Sequence, residues 1–242
     1  MSVCLVGAGP GDPALITVRG LELVRSCDVL VYDRLVSPEL VDEAPDDAVR
    51  IPHDGHMQAE VNRLLVGYGS AGLAVVRLKG GDPFLFGRGG EEALALLEAG
   101  VPFEVVPGVS ALSGVPTAAG IPLTHRGLSS QVTIVAGHTC SGTGPDLATL
   151  ARSPGTLVVF MGLATLDTLA AGLIEHGKDP RTPAAVIASG SLPCQRVVVA
   201  PLAEIAEAAE GLGPPALTII GDVVDLAGVL SPQARWGEAA VA

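Results

Sequence analysis

The chain reads as an α/β protein of two α/β domains, and three observations carry that reading. Short apolar runs at 3–6, 28–32 and 73–78 alternate with stretches of helix-like apolar spacing at 15–24, 60–66 and 91–97. Such alternation predicts a largely parallel sheet with helices packed on it. The pattern then breaks over 116–131, which is rich in Gly, Pro, Thr and Ser, and restarts beyond it. The domains are therefore placed at 1–118 and 128–232, with 233–242 as a tail that holds Trp236.

The elements follow in order. The run at 3–6 is a strand stopped by Gly7, the helix at 15–24 follows, and 28–32 is the second strand. A short strand is expected at 49–51, a helix at 60–66, the strongest strand at 73–78, a helix at 91–97 and a strand at 103–106. After the break come strands at 132–136 and 156–161, a helix at 166–175, strands at 184–188 and 196–200, a helix at 202–210 and a strand at 216–220. The short connection between 184–188 and 196–200 predicts an antiparallel pair there.

Composition excludes several classes. With 242 residues the chain is long enough for a sizeable core, and 48% apolar against 17% charged residues is too apolar for a disordered chain. Mean hydropathy is +0.49, yet no apolar run reaches the length of a membrane span. The first residues lack a basic segment and meet a Gly/Pro turn after one short apolar run, so no signal peptide is expected. Cys4, Cys27, Cys140 and Cys194 form no C-x-x-C pair and read as reduced thiols of a cytoplasmic protein, not as a metal site.

The net charge of −12 argues against a nucleic-acid partner, which calls for a basic face. An anionic ligand would need a local basic site. Twelve of the fourteen basic residues are arginines, the side chain suited to a two-pronged grip on carboxylates.

Two segments carry chemistry. Gly7-Ala8-Gly9-Pro10-Gly11-Asp12-Pro13 lies between a strand and a helix, where backbone approaches a ligand closely. Asp12 stands where a dinucleotide fingerprint has its third glycine, which disfavours a nicotinamide oxidoreductase although Asp33 imitates the ribose-binding acid. A tight turn with Asp12 as its cap is the plainer reading. The second segment, 77–92, follows the strongest strand and reads Arg77-Leu78-Lys79-Gly80-Gly81-Asp82-Pro83-Phe84-Leu85-Phe86-Gly87-Arg88-Gly89-Gly90-Glu91-Glu92. Gly80 and Gly81 permit close contact, Asp82 suits a cationic amine, and Arg88 is set to reach outward.

These segments resemble the uroporphyrinogen-III C-methyltransferases of the tetrapyrrole methylase family. The resemblance also covers Tyr32-Asp33-Arg34-Leu35-Val36-Ser37, Val106-Pro107-Gly108-Val109-Ser110-Ala111, Gly120-Ile121-Pro122-Leu123-Thr124-His125-Arg126, Gly137-His138, Met161-Gly162 and Pro214-Pro215-Ala216. It implies two α/β domains with the active site in the cleft between them, a homodimer, and S-adenosylmethionine as cofactor. It implies the addition of two methyl groups to uroporphyrinogen III, giving precorrin-2 by way of precorrin-1, on the route to sirohaem and cobalamin. The implied cofactor contacts are Pro10, Gly80, Gly81, Asp82, Leu85, Ser110, Ala111, Met161, Gly190 and Ala216. Asp33 would be the base, while Arg77 and Arg88 would face the substrate. On its own, Met161 at a strand end reads as core filling.

The chain departs from the family pattern after the third strand. The family has Gly-Lys-Arg there, whereas this chain has Arg50-Ile51-Pro52-His53-Asp54-Gly55-His56 and no lysine before Lys79. His53 is expected to take over proton handling, with Asp33 beside it favouring the charged form; His56 is the alternative occupant. The missing lysine also motivates a non-catalytic S-adenosylmethionine-binding paralogue. A methylase of another corrin precursor is the alternative within the same chemistry.

Overall fold

The structure is a computed structural model that describes residues 2–53, 57–137 and 144–230. His56, His138, Cys140 and the tail with Trp236 lie outside the described residues. Contact clustering ends one unit at Ala111 and begins the second at Leu112. The sequence reading carries the first domain on to residue 118 and places no helix at this boundary.

In the first unit, strands β1 (Val3–Gly7), β2 (Val29–Asp33), β3 (Val49–His53), β4 (Val75–Lys79) and β5 (Phe103–Val106) form a sheet of order β3-β2-β4-β1-β5. Every pairing in it is parallel. Helices α1 (Val18–Val24), α2 (Pro38–Asp42), α3 (Gln58–Ser70) and α4 (Gly89–Glu98) connect the strands. One layer of core packs Val6, Val24, Leu30, Leu40, Val76 and Leu78 together. The opposite layer packs Val3, Val31, Val61, Leu65, Val75 and Leu96. Both faces of the sheet are thus covered, which is why its strands read as unbroken apolar runs.

Strand order decides where a ligand can sit. The chain leaves β1 for β2 on one side of the sheet and leaves β4 for β5 on the other. Adjacent strands whose connections diverge open a crevice at their carboxyl ends. The glycine loops at 7–11 and 80–81 follow those two strands and bridge to each other, with Gly81 N–H donating to Gly9 O at 2.7 Å.

In the second unit, α5 (Ala111–Ala118) precedes β6 (Val132–Ala136), α6 (Leu147–Arg152), β7 (Thr156–Phe160) and α7 (Leu166–Glu175). Then come β8 (Pro183–Ala188), β9 (Arg196–Pro201), α8 (Ile205–Ala208), β10 (Ala216–Ile220) and α9 (Ala227–Leu230). The sheet order is β6-β7-β10-β8-β9; only β6 and β7 pair in parallel, and β8 and β9 form the expected antiparallel pair. Among the described residues no helix is long and apolar enough to cross a membrane.

The short helices α2, α5, α6 and α9 were not expected, and one expected helix is shortened. The helix at 202–210 shrinks to α8, because Leu202 and Ala203 donate their N–H groups back to Thr182 O and Pro180 O. α5 contains Gly114 and Pro116, which read as breakers in sequence. A helix of eight residues loses only one internal bond to that proline, and the chain closes on itself beyond it through Ile121 N–H to Pro116 O at 2.9 Å.

Candidate active site

The residues expected in the first unit gather at the carboxyl ends of its strands. Pro10 follows β1, Asp33 ends β2, His53 ends β3, Gly80, Gly81 and Asp82 follow β4, and Ser110 and Ala111 follow β5. Close backbone approach holds the loops together. A side chain on Gly108 would stand 2.3 Å from Gly81 O, and one on Gly7 2.5 Å from Gly108 Cα, so neither position accepts one. Asp12 does cap its turn, accepting from Ala14 N–H at 2.9 Å.

Asp82 is engaged by the backbone. Its Oδ1 accepts from Phe84 N–H at 2.9 Å and its Oδ2 from Gly108 N–H at 3.1 Å. The carboxylate therefore ties the loop after β4 to the loop after β5. Leu85 is half-buried in the same loop.

Asp33 and His53 are register partners on neighbouring strands. Asp33 Oδ1 accepts from Arg77 Nη2, and its Oδ2 accepts from Gly80 N–H at 3.3 Å. His53 is half-buried, and its imidazole titrates below the ordinary 6.5. Burial is the main cause, the Arg77 cation adds to it, and the opposing pull of Asp33 is weaker. Asp33 does pull toward the charged form as expected, but burial and Arg77 outweigh it, which corrects the expectation of a charged imidazole.

Arg77 needs a second correction. Expected to face the substrate, its side chain is instead 1% exposed. Arg77 and Lys79 lie two apart on β4 and therefore share a face with Val75, against α3 and α4. Arg77 Nη1 donates to Leu78 O at 3.3 Å, and its Nε donates to Glu92 Oε1 at 3.0 Å. Lys79 Nζ donates to the same oxygen at 2.8 Å, and Gln58 Nε2 does so at 3.2 Å. Glu92, in the first turn of α4, is fully buried, and its Oε2 has no hydrogen-bond partner among the described residues. Burial and the neighbouring Arg77 push the Lys79 amine below its ordinary value. Removing one member of a buried ion pair costs on the order of 3–5 kcal/mol, although the intact pair adds little net stability.

Arg88, expected to reach outward, is exposed. It lies on the surface just before α4, in a left-handed conformation with φ 57°. Its side chain is 55% exposed and grips Glu91 through two bonds of 2.9 and 2.8 Å.

Met161, Gly190 and Ala216 belong to the second unit and lie at one end of its sheet. β7 and β8 both run antiparallel to β10. Their carboxyl ends, which lead into Met161 and Gly190, therefore flank the start of β10 at Ala216. Ser189 N–H donates to Pro215 O at 2.9 Å and closes that corner. Met161 is 44% exposed with φ 53°, which corrects the reading of it as core filling. Gly190 is buried, and a side chain there would meet Val115 at 2.4 Å, so packing alone explains this glycine.

The residues that the resemblance assigns to the cofactor, taken unit by unit, are backbone, hydroxyl, thioether, aliphatic and one carboxylate, with no cation among them. That donor set suits a positively charged sulfonium. Sequence reasoning did not single out Glu92 as the buried partner of Arg77 and Lys79. The parity of β4, which sends two cations to one face, was the signal that called for a buried anion.

A family model described as tetrapyrrole (corrin/porphyrin) methylases matches residues 2–206. A siroheme synthase of Yersinia enterocolitica is 48% identical over 232 residues, covering 93% of this chain and 49% of the synthase. The chain thus spans about half the length of that relative. The crystal structure of a uroporphyrin-III C-methyltransferase from Thermus thermophilus, complexed with S-adenosylhomocysteine, is 46% identical, with a TM-score of 0.83 and coverage of 93% and 100%. A cobalt precorrin-4 methyltransferase structure is 28% identical, with a TM-score of 0.85 and coverage of 93% and 96%. With its two sheets, its glycine loops and this match over most of its length, the chain belongs to the tetrapyrrole methylase family.

Proposed function

We propose that the chain is an S-adenosylmethionine-dependent methyltransferase. It adds two methyl groups to uroporphyrinogen III and yields precorrin-2 by way of precorrin-1. The observation that carries this reading is the Asp33 carboxylate at the end of β2, held by Arg77 and Gly80 beside the two glycine loops. The similarity to the Thermus enzyme over nearly the whole chain supports the choice of substrate over a later corrin precursor.

When bound, S-adenosylmethionine supplies a methyl group on a sulfonium, which leaves as a neutral thioether. The pyrrole carbon is electron-rich, so the protein needs no activated oxygen or sulfur nucleophile. Its tasks are alignment and charge control. Pro10, Gly80, Gly81, Asp82, Leu85, Ser110 and Ala111 are assigned to the cofactor on the first unit; Met161, Gly190 and Ala216 take that role on the second. Once the new carbon–carbon bond has formed, the ring must lose a proton. Asp33 receives it, and His53, neutral at physiological pH, passes it on. Arg88 exchanges Glu91 for a substrate carboxylate.

The proposal includes a homodimer working in the cytoplasm. The motif resemblance supports the first, and the thiols of Cys4, Cys27 and Cys194 support the second.

Calorimetric titration and label transfer test this function. S-adenosylhomocysteine should bind and NAD should not, and label from methyl-labelled S-adenosylmethionine should pass to uroporphyrinogen III under reducing, anaerobic conditions. Tight NAD binding without a response to S-adenosylhomocysteine would overturn it. Binding of S-adenosylhomocysteine without label transfer would favour the non-catalytic paralogue.

A further inference from the structure

Arg77 links Glu92 to Asp33, each step a hydrogen bond. Oε1 of Glu92 takes the Nε of Arg77 at 3.0 Å, and Nη2 of the same guanidinium takes Asp33 Oδ1. A guanidinium is planar and rigid, so fixing one edge fixes the direction of the other. Lys79 and Gln58 hold the Glu92 oxygen from two further sides, at 2.8 and 3.2 Å. All three donors converge on Oε1, which leaves the carboxylate one orientation.

Charge gives the same answer. β4 sends two cations, Arg77 and Lys79, into an interior where they are 1% and 2% exposed. Without a buried anion, both would compete for Asp33, the carboxylate nearest the open end of the sheet. Glu92 supplies that anion from α4, occupies Lys79 and the Nε edge of Arg77, and leaves only Nη2 for Asp33.

We infer that Glu92 is a positioning residue for methyl transfer: acting through Arg77, it aims the Asp33 carboxylate at the carbon that must lose its proton. The inference rests on Asp33 serving as the base. It gives the second glutamate of the Gly-Arg-Gly-Gly-Glu-Glu run a role distinct from that of the first, since Glu91 is exposed and pairs with Arg88.

The test is a double-mutant cycle on the full chain. Steady-state methyl transfer is measured for the wild type, Glu92→Gln, Asp33→Asn and the double variant, with rates counted per S-adenosylhomocysteine-binding site. Glu92→Gln should lower kcat roughly tenfold or more, as misaimed groups do. It should leave KM for uroporphyrinogen III and the affinity for S-adenosylhomocysteine within about threefold. In the Asp33→Asn background the same change should cost less than about twofold, because no base remains to be aimed. An equal cost in both backgrounds, or a loss confined to thermal stability, overturns the inference alone. Wild-type kcat in Asp33→Asn overturns the base itself and the inference with it. Should Glu92→Gln fail to fold, Arg77→Lys takes its place. It keeps the charge but cannot span Glu92 and Asp33, so an unchanged kcat there also overturns the inference.

Discussion

Arg77 on β4 donates through Nη2 to Oδ1 of Asp33 at the end of the neighbouring strand β2. The arginine is buried and the carboxylate partly exposed, so the pair presents its anionic half at the open end of the sheet. Asp33→Asn preserves shape and removes the proton acceptor. Methyl transfer should fall by about 100- to 10,000-fold, the usual contribution of a positioned acid–base group, with folding retained. Circular dichroism and a single-turnover assay check this; a loss below about fivefold would put the base elsewhere.

Arg88 should behave as a substrate grip. Arg88→Leu should raise KM for the tetrapyrrole roughly tenfold, because the site loses a carboxylate partner. Its side chain is 55% exposed and pairs with an equally exposed Glu91, so thermal stability should hold. Titration with S-adenosylhomocysteine provides the control. If cofactor and substrate affinity fall together, Arg88 shapes the loop and does not hold the substrate.

For Asp82 the expectation is mixed. Asp82→Ala removes acceptors from Phe84 N–H and Gly108 N–H, which joins the loops after β4 and β5. The exposed Phe84 N–H can turn to water, whereas leaving the partly buried Gly108 N–H unsatisfied costs up to about 1–3 kcal/mol. Both the melting temperature and the affinity for S-adenosylhomocysteine should drop. An unchanged melting temperature would mean that the loops are held without this carboxylate.

Met161 distinguishes a ligand contact from core filling. Its left-handed conformation costs a side chain about 1–2 kcal/mol and costs glycine almost nothing. Met161→Gly should therefore leave the melting temperature within a few degrees of the wild type, since relieved strain offsets added chain entropy. Affinity for S-adenosylhomocysteine should weaken. Destabilisation by about 2–5 kcal/mol, as for a buried methionine, would refute the exposed placement.

His53 makes stability depend on pH with a definite sign. Its folded-state value lies below the ordinary 6.5, so the unfolded chain binds the proton more readily. Stability should rise with pH across this window and fall as pH drops from about 6.5 through the folded-state value. Thermal melts of His53→Ala should lack that part of the slope. An equal slope in both proteins would contradict the burial assigned to the imidazole.

Most of the first sheet was legible because a parallel sheet covered on both faces needs unbroken apolar strands. Phe103–Val106 and, in the second unit, Val132–Ala136, Leu166–Glu175 and Ala216–Ile220 lie where their residues place them. α5 was not legible, because Gly114 and Pro116 are punctuation in a local reading and tolerable in a short packed helix. The glycine loops and Asp33 could be located from their places at strand ends. The direction of Arg77 could not, because a run that names residue types does not show whether a cation points to solvent or to a buried partner. Strand parity held half of that answer, and the burial of Glu92 on another element held the rest.

The central claim, methyl addition to uroporphyrinogen III, is tested most directly by mass spectrometry of the product. The full chain is incubated with uroporphyrinogen III and S-adenosylmethionine under reducing, anaerobic conditions. The account predicts a product heavier by two methyl groups, with a singly methylated species appearing first. A tetrapyrrole of unchanged mass, from protein that binds S-adenosylhomocysteine, would contradict it.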